Sequence, residues 1–366
     1  MNNRGMNSSA VKESNRAAVL RVLNQYGKMS RKDIAEKLGL TAATVTIICT
    51  ELLESGVIRE LGEASEEEKR AGRRKILIDI DYEYKNVLCI AIETETTYIT
   101  LSNLAGEVIT QKSISTAENI ESEVFLKSVA RLCKTVIVDA KVKDNILGAG
   151  ITVPGMMDKF IIKAFFEGEL NIPVVVDNNV RAFAKAELIY GNGRQRDNML
   201  IVKWGPGVGS AIISNGNIYK GTCDSSAEIG HTLIYRNGKK CRCGRVGCLE
   251  TGISTHAIRE EIPELKSLPV NEWTSIGKEK LLKIMHDRAE ALAIAVSNAN
   301  IMLDPGIIVI YGYMFDIPGM IPLFKELFEK YYGRKDDNLI VKSDLVERQY
   351  HIGSLAIAMN ELFLKA

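Results

Sequence analysis

Apolar positions divide the chain into two regimes. Over residues 15–26, Ala18, Val19, Val22 and Leu23 recur at helical spacing and Gly27 closes the run, which predicts a first helix. Ser30 followed by Asp33 supplies an N-cap and an acid for the first turn of a second helix over 31–38, stopped by Gly39. Thr41 caps a third, with Val45, Ile48, Leu52 and Leu53 on its inner side and Gly56 as its stop. Strands over 57–61 and 75–80 around a charged hairpin complete a winged helix-turn-helix. A small helical oligomerisation module is the competing reading; the threonine-rich outer face of the third helix suits a groove reader better.

Beyond Asp81 the pattern shortens to strands over 87–92, 98–103 and 107–112, the last pair turned at Gly106. An amphipathic helix is predicted over 121–140 and a buried strand over 148–158. A fifth strand then enters a helix through 174–187. Residues 201–203 lead into a glycine-rich turn, 205–210, which hairpins use as readily as phosphate loops do. A long alanine-rich helix over 278–302, a strand over 307–310 and a closing helix over 353–363 finish the chain.

Composition changes this picture little. The 366 residues are 46% hydrophobic and 25% charged, enough for two or three globular domains, and a net charge of +1 names neither nucleic acid nor membrane as partner. Basic residues slightly outnumber acidic ones up to Ile80 and fall slightly behind thereafter. No apolar run reaches the ~18 residues of a membrane span and the first 14 residues lack the core of a signal peptide, so the expected location is the cytoplasm. Cys49, Cys89, Cys133 and Cys223 are scattered and expected to be small buried or half-buried groups; His256, His286 and His351 are isolated and expected to be surface or packing residues.

The remaining chemistry is concentrated in Cys241-Arg242-Cys243-Gly244-Arg245-Val246-Gly247-Cys248-Leu249-Glu250, preceded by Glu228-Ile229-Gly230-His231. Three thiols in one short loop beside a histidine give the Cys₃His ligand count of a closed tetrahedral zinc site. Disulfides or buried thiols are the alternative, which nothing suggesting export supports. Glu228 and Glu250 would then flank His231, whose second ring nitrogen stays available. Two carboxylates and an imidazole suit a polyhydroxylated ligand.

These residues carry a resemblance. Glu-x-Gly-His followed by Cys-x-Cys-Gly-x-x-Gly-Cys-Leu-Glu resembles the signature of the ROK family (repressors, open reading frames and sugar kinases), and residues up to Ile80, with Gly72-Arg73-Arg74 as wing, resemble the DNA-binding domain of its repressors, of the xylose-repressor and N-acetylglucosamine-repressor kind. The resemblance implies an α/β fold: a winged helix-turn-helix over 1–80, then a two-lobed sugar kinase/actin-like (ribonuclease H-like) ROK domain over 81–366. Its small lobe would span about 81–178 plus the C-terminal helix and its large lobe about 179–345. It implies that His231, Cys241, Cys243 and Cys248 hold a structural zinc, and that Asn178, Asn179, Glu228, His231 and Glu250 contact a sugar.

Departures from the family pattern bear on catalysis. The family's Asp-x-Gly-Gly-Thr phosphate turn reads Glu93-Thr94-Glu95-Thr96-Thr97, without its glycines and with an added carboxylate. The general-base aspartate falls on Asn179, whose amide cannot take a proton. Tyr311 and Tyr313 stand where paired glycines usually approach adenine, and the stretch over 158–172, which in the family helps close over the sugar, is shortened. The expectation is a sugar-responsive transcriptional repressor of carbohydrate-utilisation genes on a kinase scaffold without activity. It would be a homodimer or dimer of dimers with a sugar or sugar phosphate as effector and no membrane partner. The alternatives are an ATP-dependent sugar kinase with an appended DNA-binding domain, and a regulator sensing a partner protein.

Between Lys37 and Arg59 there is no lysine or arginine, so the third helix lacks the usual guanine-reading fork. Thr41, Ala42, Ala43, Thr44, Thr46 and Ile47 offer methyl contacts with thymine and short hydroxyl bonds. Arg73 and Arg74 on the wing suit a narrow A-tract minor groove. The expected operator is an A·T-rich inverted repeat.

Overall fold

The structure is a computed structural model that describes residues 8–63, 75–142, 145–155, 157–194 and 196–365. It divides into two compact units, Met1–Ile189 with Arg348–Ala366, and Tyr190–Glu347.

The first unit opens with α1 (Ser8–Tyr26), β1 (Met29–Ser30), α2 (Arg31–Leu38), α3 (Ala42–Glu54), β2 (Ile58–Glu63) and β3 (Ile76–Ile80). Both expected N-caps form: Ser30 Oγ accepts from the Asp33 amide at 3.3 Å and Thr41 Oγ1 from the Thr44 amide at 3.2 Å. The helices close on Leu20, Leu23, Ile34, Val45, Ile48 and Leu52, against Ile58, Ile78 and Ile80 of the sheet, all buried. That sheet has the order β1-β3-β2. The two-residue β1 is too short for any period and was not legible. Gly72, Arg73 and Arg74 of the expected wing lie outside the described residues.

Next come β4 (Asn86–Ile92), β5 (Thr96–Asn103), β6 (Val108–Ser115), α4 (Glu123–Asp139), β7 (Ile146–Val153), α5 (Lys159–Leu170), β8 (Val174–Asn178) and α6 (Asn179–Tyr190). They form a mixed sheet, β6-β5-β4-β7-β8, antiparallel through β4, β5 and β6 and parallel through β4, β7 and β8. The expected strand over 148–158 stops at Val153. Asp158 instead caps α5, its Oδ1 accepting from the amides of Phe160 at 2.9 Å and Ile161 at 3.2 Å. The shortened stretch is thus a helix.

The second unit contains β9 (Met199–Trp204), β10 (Val208–Ser214), β11 (Asn217–Ile218), α7 (Glu250–Ile253), α8 (Thr255–Glu261), α9 (Lys278–Leu303), β12 (Ile308–Tyr311), α10 (Tyr313–Asp316), α11 (Met320–Tyr332) and β13 (Ile340–Lys342). Its sheet runs β11-β10-β9-β12-β13, with β9, β12 and β13 parallel. Trp204, Trp273, Phe315 and Phe324 pack with Leu292 and Val296 of α9 in its core. The chain then returns to the first unit as α12 (Ile352–Ala358), where Ser354 Oγ donates to the Ile90 carbonyl at 3.0 Å.

Candidate metal, ligand and DNA sites

In the second unit one ligand atom each from His231, Cys241, Cys243 and Cys248 lies within 4.8 Å of the others. Cys243 Sγ and Cys248 Sγ are 3.6 Å apart, and Cys241 Sγ is 3.5 Å from His231 Nδ1. A tetrahedral site with 2.3 Å metal–sulfur bonds has sulfur–sulfur edges of about 3.8 Å, whereas a disulfide needs about 2.05 Å. The donor set therefore fits a metal ion. The Arg245 backbone amide draws the Cys243 thiol down to about 6, while burial and the neighbouring sulfurs push Cys248 up to about 12. Thiolates crowded without a cation resist ionising together; a metal relieves that resistance.

Sequence-local devices assemble the cluster. Cys241 N–H donates to the Arg245 carbonyl at 2.7 Å and Gly244 N–H to the Cys241 carbonyl at 2.9 Å, which folds the loop back so that Cys243 meets Cys248. His231 ends a single 3₁₀ turn, Ile229–His231, that lies against the start of β10. A Cβ at Gly230 would stand 2.0 Å from the Val208 carbonyl, so glycine alone permits that approach. Ala227, just before the turn, holds φ at 61°, a left-handed conformation uncommon outside glycine and a sign of local strain.

Because Nδ1 of His231 faces the sulfurs, Nε2 is the nitrogen directed away from the cluster. Glu228 immediately precedes the turn. Glu250 opens α7, its side chain 13% exposed; Oε2 accepts from the Val208 amide at 3.0 Å and Oε1 lies 3.2 Å from the Arg242 guanidinium. Neither partner was anticipated from sequence. Val208 belongs to β10, so the expected 205–210 turn narrows to Gly205–Gly207, closed by Gly205 N–H on the Gly207 carbonyl at 3.0 Å.

The first unit brings Asn178 and Asn179 to the junction of β8 and α6. Asn178 acts as a cap: Oδ1 accepts from the Val180 amide at 2.9 Å and the Arg181 amide at 3.3 Å, while Nδ2 donates to the Gly155 carbonyl at 3.3 Å. Asn179 Nδ2 donates to both oxygens of Glu93 at 3.3 and 3.4 Å. That contact fixes which end of the amide faces the altered turn and leaves Oδ1 as acceptor. Asp177 is held by Lys159 at 3.4 Å and by Arg181 at 2.9 Å.

On α3, Thr41, Ala42, Ala43, Thr46 and Ile47 are exposed, Ile47 to 59%, and Thr44 is half-buried. Thr46 Oγ1 donates to the Ala42 carbonyl at 2.7 Å, so this hydroxyl turns a lone pair and its methyl outward. No basic side chain lies on the helix. Among the four scattered cysteines, Cys49, Cys89 and Cys133 are buried, but Cys223 is exposed, against the expectation. His256 and His286 are exposed, and His351 is buried with Nε2 3.1 Å from the Gly106 carbonyl.

A winged helix-turn-helix, a mixed sheet with a crossing C-terminal helix and a unit with a Cys₃His cluster together define a DNA-binding module fused to an α/β ligand-type domain. The ROK family pattern matches residues 87–361, and a winged helix-turn-helix DNA-binding pattern matches residues 14–59. The chain belongs to the ROK family. A xylose repressor of Caldicellulosiruptor bescii is 24% identical, covering 97% of this chain and 98% of the relative. The Escherichia coli DNA-binding transcriptional dual regulator NagC is 28% identical, with 71% of this chain and 67% of the relative covered. Among solved structures, a ROK family transcriptional regulator described as a homologue of E. coli Mlc has a TM-score of 0.77 at 21% identity, over 97% of this chain and 98% of that one. A ROK hexokinase from Thermus thermophilus has a TM-score of 0.61 at 18% identity, over 75% of this chain and 98% of that one, and shares the α/β fold. No helix among the described residues is long and apolar enough to cross a membrane.

Proposed function

We propose that the protein is a transcriptional repressor that answers to a sugar or sugar phosphate and no longer transfers phosphate. The observation that supports this reading is the Asn179 amide donating to Glu93, at the residue onto which the resemblance carries the family's general base. A group spending an N–H on a carboxylate is not a base, and Glu93 with Glu95 places negative charge where a kinase cradles a phosphate. Binding survives that loss, since Asn179 Oδ1 still accepts a hydroxyl hydrogen.

In this reading residues 1–80 hold the operator and 81–366 sense the effector. Zinc occupies His231, Cys241, Cys243 and Cys248, and fixes the loop that presents His231 and Glu250. Glu228, His231, Glu250, Asn178 and Asn179 are the proposed sugar contacts; Asn178 would act so while capping α6. The repressor acts as a cytoplasmic homodimer, one α3 per half-site. Effector shifts the DNA-binding equilibrium only as far as it prefers one conformation over another. The repressor name of a relative that covers 97% of this chain supports this reading over the kinase one.

The experiment is a coupled assay with ATP and a panel of pentoses and hexoses, run beside calorimetry with the same panel. The expected result is binding without turnover. Turnover abolished by changing Asn179 would establish the kinase reading, and absence of any sugar binding would favour a protein signal.

A further inference from the structure

Glu250 is held at both ends by groups that are not themselves proposed metal or sugar ligands. Val208 N–H binds Oε2, and Arg242, the spacer between two thiol ligands, reaches Oε1 at 3.2 Å. The glycine turn is shaped around this carboxylate: a Cβ at Gly207 would come within 2.9 Å of Oε2. The side chain is thus gripped from the β9–β10 turn on one side and from the thiol loop on the other. The two grips originate in different parts of the chain, so the orientation of Glu250 reports on both.

We infer that Arg242 is a positioning residue through which the thiol loop sets effector affinity, by holding Glu250 in the orientation that receives a pair of adjacent sugar hydroxyls. The inference rests on the sugar-responsive reading above and adds to it. A carboxylate has about four lone-pair sites. Val208 and Arg242 take one on each oxygen, which leaves one on each for two neighbouring hydroxyls. Without Arg242, Oε1 rotates about the Val208 bond and the second acceptor site is lost for part of the time. Arg242 is 70% exposed at its side chain while Glu250 is 13% exposed, so the ion pair shapes a half-buried acceptor from a solvated donor. Its contribution is accordingly modest and lies in geometry more than in charge.

The test uses the full chain, with D-xylose, D-glucose, N-acetyl-D-glucosamine and the 6-phosphates of the last two as probes in calorimetry. Arg242→Ala and Arg242→Lys are compared with the wild type for affinity toward whichever probe binds best, for zinc per chain, and for operator binding without sugar. The expected outcome is a loss of about three- to fivefold in sugar affinity for Arg242→Ala, partial recovery in Arg242→Lys, and zinc content and unliganded operator binding equal to wild type. Equal sugar affinity in Arg242→Ala overturns the inference and leaves the sugar-responsive reading standing. Zinc loss that tracks the affinity loss also overturns it, because the effect then runs through the metal site. If no probe binds the wild type, the sugar-responsive reading falls and the inference with it.

Discussion

Cys243 and Cys248 stand 3.6 Å apart without being bonded, a spacing that fits two thiolates sharing a metal ion. Metal binding to such a set is part of the folding free energy. Cys243→Ser or Cys248→Ser is expected to lose bound zinc and lower the unfolding temperature of the second unit, measured by metal analysis and calorimetry; full zinc in either variant would remove that residue from the ligand set. Glu228→Ala is expected to weaken the sugar response and leave unliganded operator binding intact, read by gel shift. His351 offers a pH test in the first unit. Burial holds its imidazole below the ordinary value of 6.5. The unfolded chain therefore binds a proton more readily than the folded one, so stability is expected to fall as pH drops below about 6.5. Replacing His351 by glutamine should flatten that part of the profile in urea titrations at pH 7 and 5.5. The ligand set was readable because the thiols are close in sequence. The grip of Arg242 and Val208 on Glu250 was not, since the Val208 contact spans 42 positions and carries no sequence pattern.

Capping chemistry together with a buried stripe made the two helices of the turn readable. Ser30 with Asp33, and Thr41, announced α2 and α3, and the buried stripe of Val45, Ile48 and Leu52 announced the inner face. The helix α5 was missed: Phe160 and Ile161 at its start are exposed, to 85% and 57%, and blur the amphipathic period, so the Asp158 cap was the remaining signal. On α3 the outward set of Ala42, Ala43, Thr46 and Ile47 lacks a positive charge, and Thr46 spends its hydrogen on its own helix. In vitro selection from random DNA is accordingly expected to return A·T-rich half-sites, with thymine methyls opposite this face. Ile47→Arg should draw guanine into the selected half-site; a selection dominated by G·C pairs for the wild-type chain would contradict the assignment of α3 as reader. Thr41→Ala, which removes the α3 cap, is expected to cost about 1 kcal/mol of stability.

Across the whole molecule, a DNA-reading module and a ROK domain occupy one chain, and the functional claim is that the second informs the first. The proposal places the departures from the catalytic pattern at Asn179 and over Glu93-Thr94-Glu95-Thr96-Thr97, while the sequence around His231 and Glu250 keeps the family signature. On the proposed reading, this pattern would keep ligand capture and give up phosphoryl transfer. Linkage then demands reciprocity: an effector that weakens operator binding must itself bind less tightly when the operator is present. The most direct measurement is the operator affinity of the full chain, on DNA recovered by selection, titrated with the pentose, hexose and hexose-phosphate panel in the presence of ATP while ATP consumption is followed. At least one sugar is expected to change operator affinity by about tenfold or more, the ~1.4 kcal/mol typical of allosteric coupling, with no ATP consumed. Operator affinity unmoved by every sugar, or sugar-dependent ATP consumption that disappears when Asn179 is changed, would contradict it.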